Sequence, residues 1–279
     1  MAEGRDMRFW YQSLTRADAW PGYNRALRTL LDRVKDPGTE IEVHGIAKRG
    51  GIGDQYRYLE FIEAQEVLEN AARAAREGFD AFLIGNIGDP GIREAREIAD
   101  LPVLGLCETS IHLAAMMGAN FALITGNEKH ATRIVENVGR YGLGGKMHAV
   151  RPMSVTRLVD LDTGFTDRSA GDALVGEFVA AARGAADAGA EVVIPAIGVL
   201  MALLAEREVH SVNGTVPVLN GVVALVKTAE SVVRMRRLMG GAWTSKRATY
   251  APPPASQIDE LRRAYGDVYP GVESPKPKP

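Results

Sequence analysis

Residues Phe79–Gly118 read FDAFLIGNIGDPGIREAREIADLPVLGLCETSIHLAAMMG: two short apolar runs, each opening into a small or polar loop, with one brief helical segment between them. The first run, Ala81 to Ile84, leads into Gly85-Asn86-Ile87-Gly88-Asp89-Pro90-Gly91, and the second, Pro102 to Leu106, leads into Cys107-Glu108-Thr109-Ser110. Apolar runs of this length bounded by glycine and proline predict buried strands of a parallel sheet.

The same alternation runs along the chain. Strands are predicted at Met7 to Tyr11, Glu40 to Ile46, Phe121 to Thr125, Met147 to Val150, Glu191 to Pro195 and Val216 to Leu219. Helical periodicity marks Tyr23 to Val34, Leu59 to Glu77, Gly91 to Ala99, Thr109 to Met117, Lys129 to Tyr141, Gly171 to Ala188 and Gly221 to Leu238. This pattern predicts an α/β protein with parallel sheets covered by helices. Met116 to Thr125 ends a helix at Gly118 and starts a fresh strand, the entry to a second α/β unit.

Composition narrows the function class. With 46% hydrophobic and 24% charged residues among 279, the composition is ordinary for a soluble enzyme. The 33 basic and 35 acidic residues are interspersed, which argues against nucleic acid as the main partner. One cysteine forms no internal disulfide, Met1 to Arg8 has no following apolar core, and Val209 to Val226 is broken by polar residues. Cytoplasm and no membrane are therefore expected. The segment 251–279 holds 7 of the 14 prolines and reads as an extended tail with a short docking helix at Gln257 to Tyr265.

Ligands of open α/β sheets bind beyond the carboxyl ends of the strands, so the residues just after each strand are the site candidates. Gln12 and Ser13 follow the first strand and read equally as substrate binders or as ordinary loop polars. The amide of Asn86 can hold a carbonyl or a developing oxyanion but exchanges no proton near neutral pH; otherwise it caps its loop. Asp89-Pro90 reads as a helix N-cap followed by proline at the first helical position. Glu108, with Thr109 beside it as a binder, is the candidate proton-transfer carboxylate, or else a first-turn residue that stabilises its helix. His112 shares that helix face and reads as a packed core residue, and Cys107 as a small apolar filler. Thr125, Gly126 and Asn127 form a turn before a helix, suited to receive an anion. Ile197 and Gly198 follow a later strand, Asn220 reads first as an N-cap, and His130 reads as exposed on its helix. No P-loop, HExxH or Cys/His cluster appears, so no metal and no cofactor is implied.

The loop of the DPG-helix type around Asn86, the element Gly105-Leu106-Cys107-Glu108-Thr109 and the strand type GAEVVIPAIG resemble the aspartate/glutamate/hydantoin racemase superfamily, especially its hydantoin and allantoin racemase branch. The resemblance covers about residues 5 to 240 and implies two similar parallel-sheet α/β units, as in aspartate racemase, facing each other across a cleft. It implies units at residues 1–105 with 220–250 and at 106–219, and a homo-oligomer. It also places the family's two catalytic thiols at Asn86 and Ile197, where this chain has none. The implied activity is cofactor-independent racemisation or isomerisation of a small carboxylate or cyclic ureide, with Glu108 and Asn86 as the catalytic pair. A lyase, decarboxylase or hydrolase on the same scaffold, or a non-catalytic small-molecule binding protein, is the alternative.

Overall fold

Every residue of the strand Ala81–Ile84 is buried, as a strand covered on both faces must be. In the computed structural model, which describes residues 6–16, 18–51 and 56–270, this strand belongs to a parallel sheet. The sheet contains β1 (Met7–Gln12), β2 (Thr39–His44), β3 (Ala81–Ile84) and β4 (Val103–Gly105), in the order β2-β1-β3-β4. Its connections are α1 (Pro21–Val34), α2 (Arg57–Arg76) and α3 (Ile92–Ile98), and α4 (Leu106–Met117) leads out of it. Helix α1 begins on Pro21, whose fixed φ suits a first turn, and buries Tyr23, Ala26, Leu27, Leu30 and Leu31 along one stripe.

The second sheet is also parallel and contains β5 (Phe121–Thr125), β6 (Met147–Pro152) and β7 (Val193–Pro195), in the order β6-β5-β7. Around it lie α5 (Glu128–Arg140), α6 (Thr163–Thr166), α7 (Arg168–Asp187) and α8 (Gly198–Glu206). A small antiparallel pair, β8 (Ser211–Val212) and β9 (Val216–Pro217), precedes α9 (Gly221–Leu238), and α10 (Ala255–Tyr265) follows. No helix among the described residues is long and apolar enough to cross a membrane.

Strand alternation sorts the core. Phe9, Tyr11 and Leu83 join Phe121, Leu123 and Ile194 in one continuous apolar cluster linking the two sheets. Trp10, Phe82 and Val103 point the other way and pack with Val67 and Ala71 of α2. Helix α9 returns across α1 and α4. It is tied to the turn after α1 by Asp36, which accepts from Lys227 Nζ at 2.5 Å and Arg234 at 2.6 Å; these two cations bring the Asp36 pKa down to about 2.

Two local expectations change, and one helix was not expected. Val216 to Leu219 is not a full parallel strand: Pro217 removes an amide donor, and only Val218 bridges Val193 in parallel. Helix α8 has no polar stripe, because every residue from Val199 to Ala205 is buried, and so it left no helical period. Asp89 does not cap α3, whose N-cap is Gly91 at φ 69. The Lys/Pro alternation at the C-terminus lies outside the described residues.

Candidate active site

The first sheet ends in two turns that approach the second sheet. After β1 comes Ser13, 2% exposed, whose hydroxyl shares a 2.9 Å hydrogen bond with that of Thr15. After β3, Gly85 passes directly over the Tyr11 ring: a Cβ there would sit 2.3 Å from Tyr11 Cε1, so only glycine fits. Asn86 follows, and its Oδ1 accepts the Gly88 amide at 2.7 Å. That bond fixes the orientation of the carboxamide and leaves its Nδ2 hydrogens to donate.

From the second sheet, β7 delivers Ile197 and Gly198. A Cβ built on Gly198 would lie 3.3 Å from the Gly85 carbonyl oxygen and 4.0 Å from Tyr23 Oη, so the loops after β3 and β7 meet above α1. Between them is a cavity of about 40 Å³, lined by Ser13, Tyr23, Asn86, His130, Leu158 and Ile197 among others. It is far below the roughly 300 Å³ of an ordinary small-molecule site. A larger surface groove of 460 Å³ runs between α2, α3 and α5, on the other side of the Asn86 loop. The strand-end cavity is the better candidate, because it lies where two sheets present their carboxyl ends.

Two ionisable side chains line the cavity among the described residues, Tyr23 and His130. Burial pushes the Tyr23 phenol up to about 12, with the Ser13 and Tyr11 hydroxyls acting against the rise. His130 is 6% exposed, and burial followed by the charge of Arg133 brings its imidazole down to about 4. Its Nδ1 faces the Gly126 amide at 3.4 Å. Sequence spacing placed His130 on the solvent side of α5, but the residue is buried and lines the same cavity as Leu158. The Asn127 cap, whose Oδ1 accepts the His130 amide at 3.0 Å, was the available signal that this histidine sits in the first turn, near a strand end.

Ser13, Asn86, Ile197 and Gly198 are thus brought together, and Gly126 adjoins them: a Cβ on it would be 3.4 Å from Ile197 Cδ1. Other candidates lie elsewhere. Gln12 alternates away from Ser13 and, fully buried, accepts from Trp10 Nε1 at 3.1 Å and Asn70 at 2.9 Å. Thr125 is fully buried and donates to the Asn127 carbonyl at 3.3 Å. Asn127 donates from its amide to Val155 O at 2.8 Å and accepts with its oxygen as the α5 cap, so its side chain is held by the turn and does not line the strand-end cavity. Thr109 is buried on α4 outside the cavity lining.

Glu108 is also outside. It is clamped by Arg96 of α3 through both guanidinium ends, one at 3.0 Å, while Arg96 also donates to the Val103 carbonyl at 3.0 Å. The backbone amides of Cys107 and Glu108 are taken by Asp89 at 3.0 and 2.9 Å, so Asp89 caps α4 rather than its own helix. His112 is exposed rather than packed in the core, with Nδ1 2.7 Å from the Glu108 carbonyl. Cys107 is buried, and desolvation raises its thiol well above its usual pKa, as its role of apolar filler requires.

Residues 23–229 match the family model described as Asp/Glu/Hydantoin racemase. Over 209 residues the chain is 33% identical to the hydantoin racemase of Pseudomonas sp. (strain NS671), covering 74% of this chain and 77% of that protein. It is 31% identical over 195 residues to that of Rhizobium meliloti, covering 70% and 75%. The solved allantoin racemase from Klebsiella pneumoniae superposes with a TM-score of 0.66 at 26% identity, over 89% of this chain and 94% of that one. The allantoin racemase of Pseudomonas fluorescens has the same fold, with a TM-score of 0.72 at 24% identity over 88% and 97%.

Proposed function

Since this chain belongs to the Asp/Glu/hydantoin racemase family, we propose that it is a cofactor-independent racemase acting on a small cyclic ureide by proton transfer at carbon. The observation that carries this reading is the meeting of the Asn86 and Ile197 loops over one small cavity at the strand ends. On this reading the chain divides into units at 1–105 with 220–250 and at 106–219, with the cavity between them. The family's thiol positions fall on Asn86 and Ile197.

The chemistry of the walls favours an uncharged ring over a carboxylate substrate. No lysine or arginine lines the cavity among the described residues, so a carboxylate would be desolvated there without a cation beside it. A ureide carbonyl needs only hydrogen-bond donors, and the Asn86 Nδ2 group supplies them. As the proton leaves the carbon next to that carbonyl, its bonding pair moves onto the oxygen, and the Asn86 bond strengthens with the growing charge. Tyr23 is the residue we assign to proton exchange. Its phenolate takes the proton from carbon and becomes the phenol. A water on the opposite face gives one proton to that carbon, and the hydroxide left behind takes the phenol's proton through solvent, which restores the phenolate. The cavity is too tight for a ring as it stands, so substrate entry parts the two loops.

Polarimetry tests this. An enantiopure 5-substituted hydantoin or allantoin should lose its rotation with the wild-type protein and no added metal, and Tyr23→Phe should slow that loss by at least a hundredfold. Unchanged rotation with both probes would remove the racemase reading. The single cysteine further suits a reducing cytoplasm, and exposed Phe61 and Leu238 suit a homo-oligomer.

A further inference from the structure

We infer that His130 is a catalytic residue: a neutral imidazole whose Nε2–H donates to the substrate's carbonyl oxygen while that oxygen gains charge. The inference rests on the racemase reading of the cavity.

Geometry fixes the ring and its proton. His130 is in the first turn of α5, its backbone held by the Asn127 cap at 3.0 Å. Among the described residues its Nδ1 is the acceptor of the Gly126 N–H, at 3.4 Å. An imidazole that accepts at Nδ1 and is uncharged must carry its hydrogen on Nε2. Among the described residues no acceptor bonds that Nε2–H, although the ring is buried and lines the cavity beside Leu158 and Ile197. The Nε2 atom is not sealed off inside the protein, so its N–H is open to the cavity, where a bound carbonyl would accept it.

The charge state follows from the surroundings. Around the ring are the apolar walls of Leu158 and Ile197 and, on its own helix, the cation of Arg133, which itself pairs with Glu60. Burial and Arg133 both oppose a second positive charge, so the ring stays neutral through the physiological range. A neutral N–H is a good match for an enolate-like oxygen: the N–H bond is not broken, and no proton is delivered to oxygen and stranded there. The electron pair released at carbon is held on oxygen between two donors, Asn86 Nδ2 from the first sheet and His130 Nε2 from the second. That division also explains why the second wall can carry isoleucine rather than an ionisable group.

The test uses enantiopure 5-methylhydantoin and the full chain. His130→Leu should lower kcat by roughly a hundredfold with KM changed much less, as loss of one oxyanion donor does, and His130→Gln, which restores an N–H, should recover at least tenfold of it. Nitrogen-15 NMR of the wild-type imidazoles should show the Nε2–H tautomer of His130 from pH 5 to 9. Wild-type kcat in a folded His130→Leu variant, or an Nδ1–H tautomer or imidazolium at pH 6, would overturn the inference while leaving the racemase reading intact. A wild-type protein inert toward the hydantoin would instead overturn that reading and this role with it.

Discussion

The hydroxyl of Tyr141 donates to the Asp89 carboxylate at 2.7 Å, joining the end of α5 to the loop that carries Asn86. Asp89 is 4% exposed and also accepts the first amides of α4. Its backbone adopts φ 47, a conformation that aspartate tolerates better than most residues. One carboxylate thus fixes a loop and two helices.

Burial raises the Asp89 carboxyl from 3.8 to about 7, against the pull of Tyr141 and the two amides. The folded chain therefore binds this proton more tightly than the unfolded chain, and its contribution is complete below pH 3.8 and lost as pH rises through about 7. The full span is on the order of 4 kcal/mol. Asp89→Asn should flatten the pH 4 to 7 dependence of the urea midpoint and lower stability by about 1–2 kcal/mol through the weakened cap.

Glu108→Gln should leave racemase turnover within about twofold of wild type. Its carboxylate is engaged with Arg96, and both side chains are mostly covered, at 22% and 17% exposure. Gln keeps part of that contact, so the cost should be about 1 kcal/mol in chemical denaturation. Abolished turnover in a folded variant would return Glu108 to the chemistry.

Cys107→Ala should likewise leave turnover nearly unchanged, and the wild-type thiol should resist alkylation until the chain is unfolded. The motivation is burial, which holds the thiol in its unreactive protonated form. Rapid labelling of the native protein would show that the start of α4 opens.

Much of the fold was legible because buried parallel strands leave unbroken apolar runs, as in Ala81–Ile84 and Phe121–Thr125. Helix α8 was not, since a helix buried on all sides has no period to read. At the site, Ser13, Asn86, Ile197 and Gly198 follow strands directly, and their positions came with the strand ends. Gln12, taken as a possible substrate binder, instead faces α2, as its alternation with Tyr11 dictates. Asp89 and Glu108 were beyond sequence reading because their partners, the α4 amides and Arg96, are set by how α3 packs on α4. His130 was hidden by polar neighbours, Glu128 and Lys129, that suggest exposure, while its cavity is completed by residues far along the chain, such as Leu158 and Ile197.

Gly85→Ala should destabilise the fold by about 1–3 kcal/mol, the range for overpacking a close-packed site. The added methyl would meet the Tyr11 ring at 2.3 Å. Thermal unfolding measures the loss. An unchanged midpoint would mean that the Tyr11 ring can move aside.

The central claim is that a proton leaves and returns to a substrate carbon in the cavity shared by Tyr23, Asn86 and His130. Proton NMR of an enantiopure 5-substituted hydantoin in deuterated water measures it directly. With the phenol at about 12, its reactive phenolate grows with pH, so the account predicts loss of the C5 proton signal by the wild-type protein, about tenfold faster per pH unit between 7 and 9. The protein-dependent rate should vanish in Tyr23→Phe. A C5 signal that persists as it does without protein, or one lost equally fast with Tyr23→Phe, would contradict it.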